Sequence, residues 1–190
     1  IMRINFYALR AIYFHEMDRF RRTLIQSLLS PVLSTSLYFI VFGSVIGDYV
    51  QKIDGISYGS YIVPGLLMLT LLTQSISNTS FGIFFPKFNG TIYEILAAPI
   101  STVEIVIAYV GAGATKTLIV AAVIFCTSLF FAEVNVKFPL LMIFLLILVA
   151  FTFALFGFLI GLLSKNFEQM SIIPTICLLY TSDAADDLLC

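Results

Sequence analysis

Three long stretches of this chain contain no charged residue: 23–47, 55–86 and 138–164. Each is longer than the roughly 20 apolar residues that carry a helix across a bilayer core. A fourth run, 117–132, is shorter but continues an apolar segment that starts near Val103. Soluble domains carry roughly a quarter charged residues; here 11% are charged and 60% hydrophobic. Such a chain lacks the polar surface to face water on all sides. Lipid offers backbone groups no hydrogen bonds, so each span must satisfy its own, as a helix does. The sequence therefore predicts an all-α fold, a polytopic membrane helix bundle. The first apolar run is not a signal peptide, because a long Arg-bearing segment precedes it and no small-residue cleavage pattern follows.

Residues 2–22 differ from the rest. Met2, Phe6, Leu9, Tyr13, Met17 and Phe20 recur at intervals of three and four and form one helical stripe. Arg3, Arg10, Glu16, Asp18, Arg19 and Arg22 fall off that stripe. This predicts an N-terminal amphipathic interfacial helix lying in the headgroup boundary, with Phe6, Tyr13 and Phe20 inward and Arg21 and Arg22 beside them. Four complete spans follow, at 24–46, 58–81, 102–131 and 138–163, and a truncated fifth opens at 170–176. All belong to one transmembrane domain over 1–176. Residues 177–186 resemble a translated sequencing-library adapter, so 177–190 are expected to be a non-native tail. Without the tail's three aspartates the formal charge moves from −1 to +2 and Cys126 is the only cysteine. The small net charge gives no reason to expect a nucleic-acid partner.

Arginines 3, 10, 19, 21 and 22 place the N-terminus in the cytoplasm by the positive-inside rule. The 48–57 loop and the 133–137 turn then lie outside, and the 82–101 segment lies inside. Gly43–Gly47, Gly55–Gly59 and Gly157–Gly161 have the spacing at which small residues let helices approach closely.

Few residues offer chemistry. The run from Gly111 to Thr117 is not a phosphate-binding loop: Thr115, not glycine, precedes Lys116, and the segment lies within an apolar helix. The chain is therefore expected to bind no cofactor and to hydrolyse no ATP itself. Asn78-Thr-Ser80 and Asn89-Gly-Thr91 match the glycosylation pattern only by coincidence, one within a span and one on the inner side. His15 is the only histidine, which excludes a histidine metal cluster. Lys116 stands about four turns into the third span, where a charge costs about 2.5–3.5 kcal/mol on insertion scales. Two readings stay open for it: a place on a translocation path or against a partner, and snorkelling toward an interface.

The segment from Phe85 to Pro99 is the most informative. Gly90 and Thr91 can start a short helix, Glu94 sits in its first turn and Pro99 stops it. A connector between spans needs no such helix. Its apolar residues Ile92, Tyr93, Ile95 and Leu96 suggest a docking knob for another protein, or a helix resting on headgroups.

In order along the chain, these elements resemble the permease family of type-two ABC exporters. The matching residues are Leu28-Leu-Ser-Pro31, Phe42-Gly-Ser-Val-Ile-Gly47, Tyr61-Ile-Val-Pro-Gly-Leu66, the run from Gly90 to Ser101, and Phe167-Glu-Gln169. The resemblance implies a homodimer in the bacterial inner membrane and a separate cytoplasmic ATP-binding cassette subunit that binds the ATP. Thr91, Tyr93, Glu94, Ile95, Leu96 and Pro99 would form the coupling helix that docks on that ATPase. The cargo would be a lipid-linked saccharide, a polysaccharide or a drug, moved outward. Rival readings are an ion-gradient-driven secondary transporter and a structural membrane anchor for a cytosolic partner. The first needs intramembrane acids or inverted repeats, and neither is evident in the sequence.

Overall fold

A computed structural model describes residues 6–41, 58–131 and 138–176. Met2 and Arg3, the end of the first span with Gly43–Gly47, Gly55, the 48–57 loop, the 133–137 turn and the adapter-like tail lie outside the described residues. Among those described, the elements are α1 Phe6–Arg22, α2 Leu24–Tyr38, α3 Tyr58–Phe88, α4 Ile92–Ala97, α5 Thr102–Phe131 and α6 Pro139–Leu163. Helical turns resume at 167–176. The fold is an all-α polytopic bundle, and four helices are long and apolar enough to cross a membrane: 24–41, 60–88, 102–130 and 139–163.

Exposure supports the bilayer as solvent. On α6, Leu140, Phe144, Leu148, Leu155 and Leu159 are all open. In water, leaving such side chains uncovered forfeits about 1.5–3 kcal/mol each; lipid tails remove that penalty. The inward side of α6 is instead made of Ala150, Ala154, Gly157 and Gly161. These small residues seat α6 on α3. A Cβ at Gly157 would meet the Ile76 carbonyl oxygen at 2.6 Å, and one at Gly161 would meet the Ser80 oxygen at 2.8 Å. The Ser75 hydroxyl donates to the Ala150 carbonyl at 2.7 Å and the Ser80 hydroxyl to the Gly157 carbonyl at 2.8 Å. These contacts advance together along both helices, so α3 and α6 run in the same direction.

Helix α5 runs opposite to α3 and forms the centre of the bundle. Asn78 donates to Thr117, and Gly113 sits so close to Thr79 that a Cβ there would overlap its hydroxyl. The Gly111–Thr117 run is thus an uninterrupted part of a largely buried helix, and its Gly113 serves close packing. Leu71, Ile83, Tyr109, Ala114, Ala154 and Phe158 join α3, α5 and α6 in one core.

Two sequence expectations are corrected here. The second helix does not end near Phe81; it continues through Pro86 and Lys87 to Phe88. Pro86 within this helix is buried, and membrane helices tolerate proline where neighbouring helices re-satisfy the freed backbone groups. Nor does the α1 stripe turn uniformly toward headgroups. Phe20 is buried in a cluster with Val120 and Ile124 of α5, whereas Phe6 is open.

Candidate functional site

The end of the bundle where α3 stops and α5 starts is built around α4. Gly90 turns the chain with φ of 79°, a left-handed conformation that glycine adopts without a side-chain clash. Two residues later α4 begins, and Ala98, extended at ψ 148°, ends it before Pro99. The Ser101 backbone N–H then donates to Glu104 at 3.0 Å, the reach-back half of a capping box that starts α5. The connection from α4 into α5 is therefore short and hydrogen-bonded.

The two faces of α4 differ. Ile92 and Ile95 pack against the core, joined by Ile100. Thr91, Tyr93, Glu94, Leu96 and Pro99 are exposed, Tyr93 at 73% and Leu96 at 62%. Of the residues expected to form a docking surface, Ile95 faces inward and anchors the helix, while Tyr93, Glu94 and Leu96 point out together.

The same end of the bundle is clamped. The Lys87 ammonium donates to the carbonyls of Leu162 at 2.6 Å and Ser164 at 2.9 Å. A lysine on the last carbonyls of α6 also complements that end of the helix dipole. The Phe167 ring packs edge-on to Phe84 at 4.8 Å and to Phe88 at 5.2 Å between centroids. The root of α4 is thus tied to the junction between α6 and the 167–176 helix.

Deeper in the bundle lies a polar junction. Lys116 stands about 21 Å along α5 from Thr102 at 1.5 Å per residue, yet it is 3% exposed and its ammonium meets Glu16 at 2.7 Å. Glu16, 1% exposed, takes a second cation on the same carboxylate oxygen, Arg19 at 2.9 Å. A Cβ on Gly82 of α3 would lie 3.5 Å from that oxygen, so a third helix closes over the pair. The Tyr13 hydroxyl donates to Thr115 at 3.1 Å. Among the described residues, Glu16 Oε1 and Thr79 Oγ1 are buried without a hydrogen-bond partner. Arg21 and Arg22 stay exposed on the far side of α1. Lys116 is therefore held by a carboxylate of α1. Removing one member of such a buried pair strands the other charge, at about 3–5 kcal/mol.

Glu16 escaped the sequence reading because the stripe was drawn through Tyr13, Met17 and Phe20. The spacing Tyr13–Glu16–Phe20, three then four, was the signal that placed Glu16 on the same face. No local signal marked Lys87 as a clamp, since its acceptors lie 75 residues and more away.

The family described as ABC-2 type transporter matches residues 7–182. The chain belongs to this family. It is 37% identical over 178 residues to the inner membrane transport permease YadH of Escherichia coli K12, covering 94% of this chain and 70% of that protein. The YadH proteins of Escherichia coli O157:H7 and Shigella flexneri match to the same extent. No solved structure matches the chain significantly. As an ABC-2 type chain it is a membrane subunit of an ABC transporter, and α3, α5 and α6 are the spans on which α4 is mounted.

Proposed function

We propose that this chain is the membrane-spanning subunit of an ATP-driven exporter of the bacterial inner membrane, powered by a separate ATP-binding cassette subunit that docks on α4. The observation that carries the reading is the two-sidedness of α4. A six-residue helix anchored by Ile92 and Ile95 presents Tyr93, Glu94 and Leu96 outward at one end of a transporter bundle. A helix resting on headgroups would turn its isoleucines to lipid; here they face protein. Family membership and the inner-membrane name of the YadH relatives support the rest.

In this reading the α4 end and the arginines of α1 are cytoplasmic, in keeping with the positive-inside rule. ATP-driven closure of the ATPase moves α4, and the rigid joints on both sides pass the motion to α5 directly and to α6 through Lys87. A second copy of the chain completes the translocation path. The cargo is a lipid-linked saccharide, a polysaccharide or a drug-like molecule, and it leaves the cell. ATP is bound by the partner subunit alone.

One observation favours a gradient-driven secondary transporter: the buried Glu16–Lys116 pair, since ionisable groups at membrane depth serve proton relays. Family membership weighs against it. The deciding experiment is co-purification of the ATP-binding subunit with the wild type and with Glu94→Arg and Leu96→Arg. Both variants should reach the membrane folded yet lose the ATPase. Undiminished recovery of the ATPase with both variants would refute α4 docking.

A further inference from the structure

Beyond the docking of α4, and resting on the reading of an ATP-driven transporter, we propose that Glu16 and Lys116 are positioning residues that join α1 to α5, so that the two helices move as one body when α4 is driven.

The geometry points to a joint for three reasons. First, the contact is not a single pair but a line along both helices: Tyr13 on Thr115, Glu16 on Lys116, and Phe20 in one cluster with Val120 and Ile124. Residue numbers rise together on the two helices, so α1 runs alongside α5 through more than one turn. Second, the pair is sealed. Both side chains are almost completely buried, and a Cβ at Gly82 of α3 would lie in ordinary contact with the carboxylate, 3.5 Å from its oxygen. A buried ion pair adds little net stability over well-packed apolar side chains, and its best-attested use is to fix register. Sliding α1 along α5 by one turn would separate the charges and leave both without compensation. Third, α5 is the helix that α4 feeds, through the Ser101–Glu104 cap. A displacement of α4 therefore reaches Lys116 along a continuous helix and passes to α1 through this joint and the apolar contacts beside it.

Arg19 completes the arrangement. It bridges the Glu16 carboxylate and the Phe85 ring, whose centroid lies 5.9 Å from its guanidinium carbon. The joint thus also touches the last turns of α3, next to the root of α4. A cargo-binding lysine would present its ammonium to a path; here a carboxylate of the same chain occupies it.

The test uses the whole permease in complex with its ATP-binding subunit in nanodiscs, with MgATP hydrolysis as the readout. Wild-type complex that hydrolyses ATP first establishes the underlying reading; its failure to assemble would count against that reading as well as this one. Glu16→Gln and Lys116→Met should each retain the ATPase in normal amount but lower hydrolysis roughly tenfold, within the about 5–150-fold span of allosteric couplings. The double variant, Glu16→Gln with Lys116→Met, should lose no more activity than either single variant, because the second change removes a group the first has already left unpaired. In a background with Cys126, Cys177 and Cys190 replaced by serine, a short bifunctional thiol reagent joining Tyr13→Cys to Thr115→Cys should leave hydrolysis unchanged, because the helices need not part. Full activity in both single variants, or a double variant whose loss is the product of the two single losses, would overturn the pairing. Loss of hydrolysis on cross-linking, restored by a cleavable reagent, would overturn the common motion even if the pairing stands.

Discussion

Replacing Gly157 by alanine should weaken the α3–α6 interface by an amount the structure sets. The added Cβ would lie 2.6 Å from the Ile76 carbonyl oxygen, 2.8 Å from its Cα and 3.1 Å from its carbonyl carbon. Ordinary contact for a Cβ begins near 3.4 Å. The two backbones must therefore separate by the better part of an ångström, because backbone atoms of a helix cannot rotate away as a side-chain tip can. Overpacking of this kind costs about 1–3 kcal/mol. Separation also stretches the Ser80 bond to Gly157 and the Ser75 bond to Ala150, each worth about 0.6 kcal/mol between membrane helices. Against this stands the helix propensity of alanine, which in a water-exposed helix exceeds that of glycine by about 1 kcal/mol. Gly65→Ala and Gly111→Ala are the controls, since a Cβ at either position meets nothing within 4 Å. The propensity gain is common to all three variants and cancels in the comparison. Thermal unfolding of the purified permease in one detergent should place Gly157→Ala about 1–3 kcal/mol below Gly65→Ala. Equal stability of the three variants would refute the claim that this glycine spacing seats α6 directly on the α3 backbone.

The other expected outcomes are more local. Gly113→Ala should destabilise strongly, because its Cβ would lie 2.0 Å from the Thr79 hydroxyl; in a Thr79→Ala background the loss should shrink, since that hydroxyl has no partner among the described residues. Lys87→Met should cost about 1 kcal/mol, less than the 1.5–3 kcal/mol of a sheltered charged hydrogen bond, because the lysine is partly open to solvent; hydrogen exchange should rise at 160–166 with α5 unchanged. Glu104→Gln should be milder than Glu104→Ala, since a glutamine oxygen can still accept from the Ser101 N–H, and the two are separable by the same unfolding assay.

How much of this was legible in the sequence depends on the range of the interaction. Three of the spans follow from charge-free runs and the other from a long apolar run interrupted by Glu104 and Lys116, a property of each segment alone. The start of α4 followed from Gly90 and Thr91 and its end from Pro99, again local signals. Reading broke down where a residue's partner lies far along the chain. The second span was drawn to Phe81, short of Pro86 and Lys87, but α3 continues through them to Phe88, where Lys87 meets α6 and Phe84 and Phe88 meet Phe167. Glu16 was counted among the polar residues of an amphipathic helix; its burial depends on a lysine 100 residues away. Lys116 was recognised as costly at its depth, and the sequence alone could not choose between a path, a partner and an interface. The short helix α4 was legible in the chain, but the sequence did not show that Ile92 and Ile95 turn in while Tyr93 and Leu96 turn out, because a six-residue helix is too short for its periodicity to define a face.

The claim that α4 carries the drive from a separate ATPase is tested most directly by site-specific photo-cross-linking in the membrane-embedded complex. A photoreactive phenylalanine analogue placed at Tyr93, which is exposed, should form an adduct with the ATP-binding subunit, and the same analogue at Ile95, which packs inward, should not. Absence of an adduct at Tyr93 in an assembled, ATP-hydrolysing complex would contradict the account.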